Sequence, residues 1–203
     1  MGSVAKAIPR RMSRSSSAPR ATDGQLLEQF AQFQDKAAFE ELVRRHGPMV
    51  LRVCKQVLDN DSDAEDAFQA TFIVLMGKAS SIAKRESVGS WLHGVAFRVA
   101  VHARRNSHKF RASQADACRG AIEDPRPTLK IETEVRQMLN EELSRLPEKY
   151  RAPLVLCYVQ GKATEEVARQ FGCPIGTLKW RLAQARELLR TRLMRRGLPA
   201  VIK

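Results

Sequence analysis

The stretch TEEVARQFGCPIGTLKWRLAQARELLRTRLMRR, residues 164–196, decides how the chain is read. Thr164 is a good N-cap, and Glu165 and Glu166 place carboxylates in the first turn, where the helix dipole favours them. Val167, Ala168 and Phe171 give this short helix an apolar face. Gly172-Cys173-Pro174 breaks it, because Gly supplies a left-handed stop and Pro can only start the next helix. The second helix is predicted from about 175 to 195, with Ile175, Leu178, Leu182, Ala185 and Leu189 recurring every three or four residues. At 100° per residue these fall on one stripe, and Trp180 and Gln184 project from nearly the opposite side. Thr177 lies close to that outer face, and Lys179 and Arg181 flank it. Two helices joined at a tight Gly turn, the second offering polar and basic groups outward, form the design of a helix-turn-helix. An ordinary helical hairpin with a solvated face would leave Trp180 exposed among bases with no use for it.

The remainder of the chain agrees with a partner of negative charge. Its 203 residues suffice for two small domains, and its net charge of +13 favours nucleic acid. Charge is unevenly placed. Residues 23–78 hold 6 basic and 10 acidic groups, residues 84–111 hold 7 and 1, and residues 161–203 hold 10 and 3. Two basic blocks suggest two DNA contacts, and the acidic block needs another purpose. No apolar run reaches the 18 or so residues of a spanning helix, so no membrane insertion is expected.

Cys54, Cys118, Cys157 and Cys173 form no CxxC pair. They read as reduced small hydrophobes in a cytoplasmic protein. A zinc site using His46 and Cys54 lacks clustered ligands, and neither a metal nor any other cofactor is expected. No phosphate-binding Gly loop or nucleophile–base pair marks an enzyme.

In order along the chain, residues 1–22 carry five basic residues, five serines and no acid, and read as a disordered basic tail without a signal-peptide core. Helical periodicity follows: Leu26, Leu27 and Phe30, then Phe39, Leu42, Val43, Val50, Val53 and Val57, with a bend expected at Gly47-Pro48. Ser62-Asp63-Ala64-Glu65 reads as a capping box before a helix whose buried stripe is Ala64, Ala67, Phe68, Thr71, Phe72, Leu75 and Met76. Residues 80–90 read as a polar loop. The helix WLHGVAFRVAVHARR packs Leu92, Val95, Ala96 and Val99 inward, and Trp91, His93, Arg98, His102, Arg104 and Arg105 are expected to form a basic, aromatic-bearing surface. Such a surface suits single strands, because phosphates meet charges and bases stack on rings.

Residues 106–133 read as a linker, with a short helix allowed at its start. A helix over residues 134–146 follows. Pro147 opens another, in which Pro153 should kink or delay regular structure. Gly161 stops it before Thr164. The fold is thus all-α: two small helical domains, 23–105 and 134–197, the second a helix-turn-helix, with a short tail at 198–203.

The chain at this point resembles a bacterial RNA polymerase sigma factor of the extracytoplasmic-function (ECF) group of the sigma-70 family. Asp63-Ala64-Glu65-Asp66-Ala67-Phe68-Gln69-Ala70-Thr71-Phe72 is similar to that family's DAED-x-x-Q-x-x-F stretch. Ser90-Trp91-Leu92-His93-Gly94-Val95-Ala96, trailed by Arg104-Arg105, resembles its WL-x-x-IA segment. Leu146-Pro147-Glu148-Lys149-Tyr150-Arg151, with the Gly172–Arg186 stretch GCPIGTLKWRLAQAR, resembles its C-terminal reader. The resemblance implies that the first domain binds core RNA polymerase through Asp63, Asp66, Gln69 and Phe72. It also implies that Lys84, Arg85, Trp91, His93, Arg98, His102 and Arg105 meet the −10 element, with the 80–90 loop holding a flipped base. Thr177, Lys179, Trp180, Arg181, Gln184 and Arg186 would read the −35 element. Promoter DNA and core polymerase are the implied partners, and an anti-sigma factor is common in the family. Phe97-Arg98 and His102 depart from an Asn common in the family, and Trp180 replaces a small polar residue, so promoter preference does not carry over. A free-standing helix-turn-helix repressor is the rival reading, and the DAED helix argues against it.

Overall fold

The computed structural model describes residues 21–83, 85–115 and 127–198. Four helices build the first module: α1 (Asp23–Phe33), α2 (Lys36–Val57), α3 (Asp61–Lys78) and α4 (Val88–Ala115). Four more build the second: α5 (Pro127–Ser144), α6 (Glu148–Leu154), α7 (Thr164–Gln170) and α8 (Ile175–Arg195). No strand occurs among the described residues.

Local chemistry explains several helix ends. Thr22 caps α1 in a reciprocal capping box with Gln25, Gln25 N–H donating to Thr22 Oγ1 at 3.2 Å and Thr22 N–H to Gln25 Oε1 at 2.8 Å. Asp35 caps α2 by accepting from Ala37 N–H at 2.9 Å. The expected bend at Gly47-Pro48 does not end the element: α2 runs unbroken through Pro48.

The expected caps shift at two helices. α3 is capped by Asn60, whose Oδ1 accepts from Ser62 N–H at 3.0 Å, so Ser62 lies inside the helix. Thr164 likewise sits inside α7 behind Ala163, which makes no side-chain cap. Helix also occupies part of the stretch expected as linker. α4 reaches Ala115 and α5 starts at Pro127, so helix occupies most of residues 106–133, and only 116–126 lie outside the described residues. Pro127 opens a helix here, which its fixed φ allows at the first position. Cys118, the N-terminal tail and most of the C-terminal tail also lie outside the described residues.

Each module has its own core. In the first, Leu27, Leu42, Val50, Val53, Ala64, Leu75, Val88, Leu92 and Ala96 are buried between α1, α2, α3 and α4. In the second, Leu143, Leu156, Val167, Leu178, Leu182 and Ala185 close around α8. Pro153 acts as its chemistry demands. It lacks an N–H, α6 stops one residue later, and a wide π turn (Val155–Val159) follows, closed by Gln160 N–H donating to Val155 O at 2.9 Å.

The two modules touch. Val159 packs against the first core, and α5, α6 and the π turn lie along α2 and α4.

Candidate functional site

Three surfaces carry the residues with chemical promise. The first is on α3. Asp66 and Gln69 are exposed and Asp63 half-buried. Phe72 is not part of that face: it is 6% exposed, edge-on to Phe68 at 5.1 Å and to Phe39 at 6.3 Å between centroids. It holds α3 to α2. Met76 also departs from expectation, being 52% exposed, and Ile73 is 66% exposed beside the half-bare Val74. Asp66, Gln69, Ile73 and Met76 follow at spacings of three and four, so they share one face with acidic, amide and apolar parts. Residues 72–76, FIVLM, were the available signal: five consecutive apolar residues exceed what one helix stripe can bury.

The second surface is on α4. Trp91, Arg98, His102 and Arg105 recur at three, four or seven residues and lie along one face. Trp91 is half-buried, and Arg98, His102 and Arg105 are exposed. A cavity of about 400 Å³ opens beside Trp91, lined also by Lys78, Ser81, Ile82 and Arg98. An aromatic wall, an apolar floor and cations at the rim suit an unstacked base with its phosphate.

Arg85 is tied to α1, its guanidinium 2.7 Å from Glu28 Oε1. Lys84 lies outside the described residues. His93 must be moved off this surface. Two residues on from Trp91, it turns some 200° away and is 1% exposed, against Asn140 and Arg151 of the second module. Burial, reinforced by the Arg151 charge, lowers its pKa to about 4.

The third surface is the α7–α8 pair. Gly172 takes φ 58°, the left-handed conformation that turns the chain between the helices. Cys173 N–H then donates to Ala168 O at 3.0 Å, and Leu178, wholly buried, anchors α8 beneath α7. Lys179, Trp180, Gln184 and Arg186 face outward, whereas Thr177 and Arg181 are half-buried. Ile175, expected in the buried stripe, is 39% exposed, because the first residue of α8 overhangs the core. Trp180 is 55% exposed and leans on Tyr150 with centroids 6.3 Å apart, and Lys149 Nζ lies 4.9 Å over the Tyr150 ring. Lys149 and Tyr150 therefore extend this outer face beyond α8.

Among the described residues, no cluster of three His, Cys, Asp or Glu side chains could hold a metal ion, and no helix is long and apolar enough to cross a membrane. Cys54 is wholly buried, and burial pushes its thiol up to about 11.

Comparison with known proteins matches two separate stretches of the chain. The family model described as Sigma-70 region 2 matches residues 42–110, and that described as Sigma-70, region 4 matches residues 136–189. ECF RNA polymerase sigma factor SigM of Mycobacterium tuberculosis is 32% identical over 159 residues, covering 76% of each chain. ECF sigma factor SigE of Mycolicibacterium smegmatis is 32% identical over 162 residues, which span 77% of this chain but 63% of that protein. ECF sigma factor SigW of Bacillus subtilis is 25% identical, over 78% of this chain and 90% of its own. Among solved structures, CnrH in complex with the cytosolic domain of CnrY aligns with 85% of this chain at 21% identity and a TM-score of 0.40.

Proposed function

The chain belongs to the sigma-70 family, in its ECF group, and from that premise we propose how its three surfaces divide the work of starting transcription. The α3 face of Asp66, Gln69, Ile73 and Met76 docks on core RNA polymerase. The acidic groups steer the approach, and the apolar pair supplies buried area. The α4 stripe takes the −10 element as a single strand. Its Arg98, His102 and Arg105 meet phosphates, and the cavity beside Trp91 receives an unstacked base, whose capture favours the open bubble. The α8 face reads the −35 element in the major groove, where each good base contact is worth about 1–3 kcal/mol. Phosphate contacts from the two basic blocks supply most of the affinity and make it salt-dependent. The chain performs no covalent chemistry, which belongs to the polymerase. An anti-sigma factor is the regulatory partner that this reading carries with it.

What supports this reading is one chain in which a basic α4 stripe beside the Trp91 cavity and the outer face of the α7–α8 pair occur in order, apart from the acidic and apolar face of α3. Purified core polymerase, incubated with this chain and fragmented bacterial DNA, should yield discrete start sites that are absent when either component is left out. Tight duplex binding with no transcript and no association with core polymerase would replace the proposal with an autonomous repressor.

A further inference from the structure

Two aromatic rings meet where α6 packs on α8. Pro147 precedes α6, so Lys149 and Tyr150 fall in its first turn. Trp180 lies in the second turn of α8. The Tyr150 and Trp180 ring centroids are 6.3 Å apart, with their planes at 57°. Lys149 Nζ sits 4.9 Å from the centroid of the Tyr150 ring. Tyr150 is half-buried against the core of the second module, whereas Trp180 is 55% exposed. Tilted ring pairs at this separation attract, and a cation over a ring adds to the hold. The indole is therefore braced from within the protein while about half of it faces solvent.

A braced, exposed indole can recognise little of what a duplex displays. It has one donor, Nε1–H, and no acceptor, so it cannot make the paired hydrogen bonds by which Arg, Asn or Gln tell bases apart. Stacking on its faces needs bases that are already unstacked, as in single strands. The one apolar group on a base edge in the major groove is the 5-methyl of thymine. Lys179 and Gln184, exposed on either side of Trp180 in sequence, carry the hydrogen-bonding capacity, and the indole is the large apolar plate among them. Tyr150 makes that plate stiff. An indole free to swing would lose freedom on meeting a methyl group, and one already held loses little.

We propose that Trp180 selects a thymine in the −35 element through its 5-methyl group, and that Tyr150, outside the reading helix, is the positioning residue that holds the indole against it. The proposal rests on the promoter reading given above, and the two fail separately under test.

The test uses duplexes selected from a random library by the full chain bound to core polymerase. Each thymine of a selected duplex is replaced in turn by uracil, which pairs identically and lacks only the methyl group. The thymine and uracil duplexes are compared on the same protein, so a partly unfolded variant lowers binding to both alike and leaves their ratio untouched. For the native chain, removing the methyl group at one position should cost about fourfold in affinity, the worth of one buried carbon. Trp180→Ala should bring the ratio at that position to about one and leave the other positions as they were. Tyr150→Phe keeps the ring and should retain the native ratio. Tyr150→Leu fills the core without bracing the indole and should lower it. Selected duplexes that share no thymine, a native chain indifferent to uracil at every position, or a ratio unchanged in Trp180→Ala would each overturn the proposal. A ratio unchanged in Tyr150→Leu would overturn the part given to Tyr150. Selection of no common sequence at all would instead reject the −35 reading on which the proposal rests.

Discussion

Phe72 and Ile73 are neighbours in sequence with opposite duties. Phe72 fills the space between α2 and α3, so Phe72→Ala should destabilise the protein by about 3–5 kcal/mol, seen as a lowered melting temperature. Ile73→Ser touches little within the chain and should leave the melt within about 0.5 kcal/mol, yet weaken association with core polymerase in a pull-down. If Ile73→Ser binds polymerase normally, the apolar part of the α3 face has been misassigned. His93 carries a different expectation. Its pKa is depressed in the folded protein, to about 4, against about 6.5 when solvated. The folded protein therefore binds fewer protons than the unfolded chain between those values. Its stabilisation is complete above about pH 6.5 and declines on acidification, by about 1–2 kcal/mol at pH 5. Asp23 is depressed as well, since His46, Lys162 and Arg45 outweigh its burial, and its contribution is lost only below the ordinary carboxylate range, outside this window. A pH titration of the melting temperature from 7 to 5 should show the native chain losing more stability than His93→Gln does. Equal slopes would remove His93 from the contact between the modules.

Among the elements, α8 permits the cleanest separation of affinity from specificity. Gln184 is exposed on the outer face, so Gln184→Ala should change which −35 sequences are preferred in a binding-site selection. Arg195, in the last turn, should act on phosphate alone, and Arg195→Ala should weaken all sequences evenly and flatten the salt dependence. Uniform weakening by both would move the reading face elsewhere. This helix was largely legible beforehand, because Leu178, Leu182, Ala185 and Leu189 repeat at helical spacing and Gly172 marks the turn. Other elements were not. Residues 106–133 read as linker with a short helix allowed at the start because 106–115 carry no apolar stripe in sequence, whereas the structure runs α4 to Ala115 and sets Pro127 at the first position of α5. The Thr22–Gln25 capping box is masked in the sequence by the polar residues on its N-terminal side. His93 was placed on the wrong face although two residues from Trp91 is nearly opposite on a helix. Periodicity identifies an apolar stripe, but the small and polar side of α4, with Gly89, Ser90, His93 and Gly94, becomes visible as a packing face only once the second module lies against it.

Over the whole molecule, two cores of separate composition meet across a polar boundary. The modules are therefore distinct units in contact, and the uneven charge of the sequence maps onto that division. The first core draws on residues up to about Ala103, whereas the second needs Leu189 on α8. A ribosome adding about 5–20 residues per second completes the first module several seconds before the second can close. Throughout that interval the α4 face of Gly89, Ser90, His93 and Gly94 lies bare in the nascent chain. Because it is small and hydrogen-bonding rather than oily, water can cover it, and the half-made protein offers neighbouring chains little to stick to there.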